Sequence, residues 1–213
     1  MKVSKKVEKI IDYLKRSYPS SRTALDARNP FQLLIATILS AQCTDERVNK
    51  VTPVLFERFK TVQDFARADI KEIEEYIKST GFYHNKARNI KECCGALIER
   101  YNGELPKNID ELTKLPGIGR KTANVVLGNG FGITSGIVVD THVLRISQRL
   151  GLTKKKDAVK VEEDLMRIIP KDFWIEFSNS VILFGREICS ARSPQCERCK
   201  LFDVCEYPEK KVG

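Results

Sequence analysis

The chain has 213 residues, enough to bury a sizeable core in one large domain or two lobes. Its 37 lysines and arginines against 28 acids leave a formal net charge of +9, which suits a polyanionic partner. No apolar run reaches membrane-spanning length, and seven cysteines with no export signal point to a reducing, cytoplasmic setting.

In chain order, nearly every segment has a helical period. The N-terminal stretch MKVSKKVEKIIDYLKRSYP places Val3, Val7, Ile10, Ile11 and Leu14 on one face. Glu8 and Asp12 argue against an acid-poor transit peptide, so this is read as an ordinary first helix. Asn29-Pro30 is a helix cap followed by proline at the first helical position. The FQLLIATILSA that follows is apolar on most faces, as a central helix should be. Pro53 falls inside a helical pattern and predicts a kink or a break there. Asp69 and Glu72 predict a capping box ahead of Ile70, Ile73, Tyr76 and Ile77. Ala87, Ile90, Cys94, Leu97 and Ile98 predict a helix that Gly103 closes. Asn108 and Glu111 open a short helix, and later helices cover about 141–150, 157–169 and 173–188. With no strand alternation, repeat or long linker, the fold class is all-α.

Two segments carry chemistry. Leu115-Pro-Gly-Ile-Gly-Arg-Lys-Thr-Ala123 joins two helices. Glycines at 117 and 119 allow a tight turn with uncovered N–H groups, and the next helix begins there, so its positive end can meet an anion such as a DNA phosphate. Arg120 adds charge. Lys121 lies in the first turn of that helix, where the positive helix end disfavours its ammonium form, and a neutral lysine amine is a nucleophile that forms Schiff bases. Taken alone, G-x-G is an ordinary helix–helix turn and Lys121 a surface lysine. Asp140, before Thr141-His142-Val143, reads as a helix N-cap with its carboxylate favoured in the ionised form.

The second segment is Cys189-Ser-Ala-Arg-Ser-Pro-Gln-Cys196-Glu-Arg-Cys199-Lys-Leu-Phe-Asp-Val-Cys205, spaced C-x6-C-x2-C-x5-C. Four thiolates in one loop are favourable only around a cation. A single C-x2-C pair argues for a four-iron cluster over zinc, and the run is not that of an electron-carrying ferredoxin. A disulfide knot is the rival, against which the missing secretory signal counts. Arg192, Arg198 and Lys200 sit among these thiols, whereas Cys43, Cys93 and Cys94 have no metal spacing and read as core thiols.

LPGIGRKTANVV followed by VDTH is similar to the helix–hairpin–helix and Gly/Pro–Asp motif of DNA glycosylases. With SAQCTD at 40–45, GFYHNKARNI at 81–90 and the cysteine spacing, the chain resembles the endonuclease III family over almost its whole length. That resemblance implies a two-lobed fold. Residues 22–134 would form a helical bundle with the helix–hairpin–helix at about 108–131, and 1–21 with 135–213 would form a lobe holding a [4Fe-4S] cluster loop at 189–205. A DNA cleft would run between the lobes, with Lys121 and Asp140 on opposite walls.

The resemblance implies a monomeric base excision repair enzyme acting on double-stranded DNA with damaged bases or abasic sites, with no membrane role. It would be a bifunctional DNA glycosylase and abasic-site lyase that excises oxidised pyrimidines such as thymine glycol. The damaged base is flipped out, Lys121 attacks the anomeric carbon, and β-elimination cuts the strand 3′ to the lesion. Asp140 would stabilise the oxocarbenium-like transition state and help activate Lys121. Gln42 would fill the gap and bond the orphaned base. Phe82, where the family more often has leucine, would be the wedge; its alternative is a core residue. Gly117, Gly119, Arg120 and Arg192 would touch phosphates, and His142 would either do so or be a satisfied helix histidine. Cys189, Cys196, Cys199 and Cys205 would hold the cluster. The rivals are a mismatch, adenine or 8-oxoguanine glycosylase of the same fold and a non-catalytic, structure-specific DNA-binding module.

Overall fold

A computed structural model describes residues 4–19 and 21–210. Val3, the first apolar position of the N-terminal pattern, lies outside them. Among the described residues the chain is helical, with no strand. Thr23–Ser135 forms one compact unit, and the segments through Arg22 and from Gly136 form the other.

In the first unit the central helix is α2 (Pro30–Leu39), capped by Asn29 as its sequence requires: the Asn29 side chain accepts from Gln32 N at 2.9 Å. Every residue from Leu33 to Leu39 is buried, which a helix apolar on most faces needs to be. Around it pack α3 (Asp45–Arg58), α4 (Val62–Arg67), α5 (Ile70–Ile77) and α6 (Tyr83–Tyr101). Leu34, Ile35, Leu55, Phe65, Ile77, Ile90 and Leu97 close one core with them. Phe59 and Phe65 stack with ring centroids 4.9 Å apart. The unit ends with α7 (Ile109–Leu112) and α8 (Arg120–Val125), which runs into a wider π turn at Val126–Gly130.

One sequence expectation narrows, from a kink or break to no break, and another changes. α3 runs through Pro53 without a break. Pro53 sits on the exposed face while Val48, Thr52 and Leu55 bury the opposite one, so the carbonyl that loses its partner can meet water and packing holds the helix together. The capping box is one helix earlier than predicted: Thr61 and Asp64 cap α4 reciprocally. At α5 Asp69 caps alone, accepting from Lys71 N, and Glu72 is drawn away into a two-pronged ion pair with Arg58 at 2.6 and 3.1 Å.

The second unit is built from α1 (Lys5–Ser17), α9 (Thr141–Arg149), α10 (Ala158–Ile168) and α11 (Trp174–Glu187). Val7, Ile10, Ile11 and Leu14 bury the apolar stripe of α1, and Tyr13 meets Phe184 of α11 edge-on at 5.7 Å. α11 starts one residue later than the pattern implied because Lys171–Phe173 wind as a tighter 3-10 turn. No helix among the described residues is long and apolar enough to cross a membrane.

Candidate active site and DNA interface

The hairpin is fixed by ordinary local chemistry. Asn108 Oδ1 caps α7 by accepting from Glu111 N at 2.8 Å. The chain then turns through Leu115 N donating to Leu112 O and Ile118 N to Leu115 O, both at 3.1 Å, with Leu115 and Ile118 buried. The two glycines differ in what they do. Gly117 has φ +74°, and a Cβ there would lie 2.7 Å from Asn89 Cβ of α6, so both backbone and space demand glycine. Gly119 has φ −87°, which any residue adopts, and nothing lies within 4 Å of where its Cβ would be. Its value is the open approach in front of it. Among the described residues no side chain caps α8, which leaves the N–H groups of its first turn to an outside acceptor. Arg120 and Lys121, the first two residues of α8, are exposed beside that end. The arrangement suits a phosphate.

Gln42 and Phe82 share a second property with each other. Three non-glycine residues of the described chain have left-handed backbone: Gln42 (φ 53°), Phe82 (φ 48°) and Asn102 (φ 53°). Asn102 merely closes α6 at its C-terminus. The other two are the residues expected to enter DNA. A bulky residue in this region costs on the order of 1 kcal/mol or more, and such strain persists only where the surroundings impose it. Phe82 is 63% exposed, which removes the core-residue alternative, and Tyr83 beside it packs against the core. Gln42 is exposed too.

In the other unit Asp140 caps α9. Its Oδ1 accepts from His142 N and Val143 N, both at 2.8 Å. Among the described residues Oδ2 accepts no hydrogen bond, leaving one carboxylate oxygen for other work. His142 is half-buried, and its Nδ1 lies 3.2 Å from Arg145 Nη2. A guanidinium only donates, so in this contact Nδ1 is the accepting atom.

The four cysteines of the last loop are all free thiols and line one recess of about 380 Å³, counting the solvent at its mouth, with Arg149, Phe184, Ile188 and Tyr207. Burial pushes the Cys199 thiol up to about 11, and the charges of Cys189, Cys205 and Cys196 push it the same way. Four thiols facing one recess form a donor set that, once deprotonated, is favourable only around a cation. Among the described residues no three His, Cys, Asp or Glu side chains are gathered as a single metal ion requires. Arg192 is exposed on this loop, while Arg198 is engaged with Gln195 Oε1 at 2.6 Å.

Comparison with known proteins assigns this architecture. Residues 35–171 match the model of the HhH-GPD superfamily of base excision DNA repair proteins. The chain belongs to the HhH-GPD superfamily. Endonuclease III of Synechocystis is 54% identical over 196 residues, covering 92% of this chain and 90% of that protein. A non-covalent endonuclease III–DNA complex superposes with a TM-score of 0.91 at 48% identity, over 97% of this chain and 96% of the other. A trapped covalent endonuclease III–DNA intermediate with an estranged adenine gives 0.91 at 48% identity, over 97% of each chain.

Three residues to which motif reading gave no role support these segments. Lys86 is buried, with its Nζ donating to Leu39 O and Thr80 O, both at 2.8 Å. Burial pulls its pKa down, and the nearby Cys43 sulfur opposes that. Arg149 Nη1 donates to Cys189 Sγ at 3.4 Å and Ser190 O at 2.7 Å, and its Nη2 donates to Ala191 O at 2.9 Å. Arg145 Nη2 donates to Cys189 O at 2.9 Å. The available signal was two arginines four apart on α9, on the side of Val143 and Ile146, where solvent-facing charge is not expected.

Proposed function

We propose that this enzyme, a base excision repair DNA glycosylase and abasic-site lyase, takes oxidised pyrimidines such as thymine glycol as its substrates. The observation that carries the proposal is Lys121 standing exposed in the first turn of the hairpin helix, beside an uncapped helix end that can hold the neighbouring phosphate. The Lys121 amine attacks C1′ of the flipped nucleotide and gives up a proton, and the base departs with the bonding pair and takes up a proton. Asp140 stabilises the positive charge that builds on the sugar, using the oxygen its cap does not need. Ring opening gives an imine on Lys121. Loss of a C2′ proton then expels the 3′ phosphate with its electron pair, and water releases the lysine. Likeness to a chain captured covalently on DNA supports this order of events.

Gln42 and Phe82 fill the space the flipped base leaves, which repays part of the few kcal/mol that unstacking costs. Residues 22–134 serve as the hairpin lobe, and the flanking segments as the lobe of the cysteine loop. Cys189, Cys196, Cys199 and Cys205 hold a [4Fe-4S] cluster, which supplies a rigid cross-link of the loop when bound. Arg149 and Arg145 tie the same loop to α9, and Arg192 presents its charge to a phosphate. The test is a cleavage panel of duplexes carrying thymine glycol, 8-oxoguanine or adenine mispairs. Thymine glycol should be excised with strand cutting in one reaction. Preferential removal of a mispaired adenine without cutting would overturn the substrate assignment.

A further inference from the structure

The two gap-filling residues sit on different connections, one after α2 and one before α6, and both tips need left-handed backbone. Something must hold them in place. Leu39 is the last residue of α2, and a helix of this kind leaves its terminal carbonyls without amide partners. The chain turns away at Gln42, so Leu39 O is one of these. Thr80 ends the 3-10 turn at Lys78–Thr80, directly before Gly81 and Phe82. Its carbonyl is buried with it, the residue being 2% exposed. Both carbonyls accept from the same ammonium, Lys86 Nζ, at 2.8 Å each. Lys86 also donates its backbone N–H to Phe82 O at 3.1 Å, the first hydrogen bond of α6. One buried side chain thus joins the root of the Gln42 turn, the root of the Phe82 turn and the helix that follows.

We propose that Lys86 is a positioning residue which couples the two gap-filling tips, holding Gln42 and Phe82 at a fixed separation so that both enter the duplex together. This rests on the reading of Gln42 and Phe82 as the residues that fill the opened duplex. A lysine does this where an apolar residue could not, because two buried carbonyls without donors would be costly. A cation is favoured at the C-terminal end of α2 in any case.

The gap exists only in a duplex, and that separates positioning from general structural support. Excision from a thymine-glycol duplex and cutting of a preformed abasic site in single-stranded DNA are measured under single-turnover conditions. Lys86→Met, which keeps the shape of the chain and removes the donors, should lower duplex excision about 10–100-fold, as a misplacement of about 1 Å does. Single-strand cutting should stay within about twofold, well inside such a loss. Phe82→Ala should cost far less in the Lys86→Met background than in the wild type, because coupled residues are not additive. If Lys86→Met does not fold, Lys86→Gln, whose amide keeps one donor, carries the same comparison with a smaller duplex loss expected. Equal loss on both substrates, or additive losses with Phe82→Ala, would overturn the proposal. So would unchanged duplex excision while Gln42→Ala and Phe82→Ala are impaired. If those two variants are themselves unimpaired, it is the gap-filling reading that fails, and the coupling falls with it.

Discussion

Asp140 caps α9 and is proposed above to stabilise charge in base removal, two jobs that one pair of substitutions can separate. Its Oδ1 holds two backbone N–H groups at 2.8 Å and so caps α9. Replacing an N-cap aspartate by alanine costs about 1 kcal/mol, whereas asparagine caps about as well as aspartate because its amide oxygen still accepts. For a protein of this size about 1 kcal/mol lowers the melting temperature by roughly 2–4 °C. Asp140→Ala should therefore melt about 2–4 °C below the wild type, and Asp140→Asn within about 1–2 °C, the remaining loss being the helix-dipole term of the missing charge. Catalysis should not follow stability. Removing an anion that faces a developing oxocarbenium should slow excision of thymine glycol about 100-fold or more in both variants. Cutting at a preformed abasic site, where that step is bypassed, should fall by less than about tenfold. The assays are thermal melting and single-turnover gel cleavage on the two substrates. An Asp140→Asn protein that melts as low as Asp140→Ala would refute the capping argument. Equal loss on both substrates would show that the carboxylate does not act in base removal.

Lys121→Gln, at an exposed site, should change stability by less than about 0.5 kcal/mol and abolish the borohydride-trapped protein–DNA adduct; an undiminished adduct would remove Lys121 from the chemistry. Gly117→Ala should destabilise the protein by roughly 1–2 kcal/mol from its left-handed backbone alone, seen as a lower denaturation midpoint. Gly119→Ala should leave the midpoint unchanged and weaken DNA binding, because its methyl group would enter the open approach to the α8 amides; normal binding would place the phosphate elsewhere. Purified protein should be yellow-brown and contain iron and sulfide, and zinc in their place would overturn the cluster assignment. Arg192→Ala should weaken binding to damaged and undamaged duplex alike and reduce the salt slope by about 1, with single-turnover cleavage nearly unchanged; a cleavage defect at normal affinity would give the loop a direct catalytic part.

What the sequence determined by itself was whatever depends on spacing along the chain. The α2 cap at Asn29-Pro30, the buried run Leu33–Leu39, the period of α1 and the hairpin turn at Gly117 all follow from neighbours within a few positions. So do the four-thiol spacing and the place of Lys121 at the start of its helix. Tertiary structure decided what depends on partners far along the chain. Arg58, 14 residues away, takes Glu72 from its expected cap, and core packing carries α3 through Pro53. Lys86 reaches back 47 residues to Leu39 O, and Arg149 reaches forward 40 to Cys189 Sγ. As sequence letters, Lys86 and Arg149 are ordinary charged residues on helices. Their places in the fold arise because folding buries each of them beside carbonyls or a thiol that need a donor, and no local pattern records which distant groups will be left needing one.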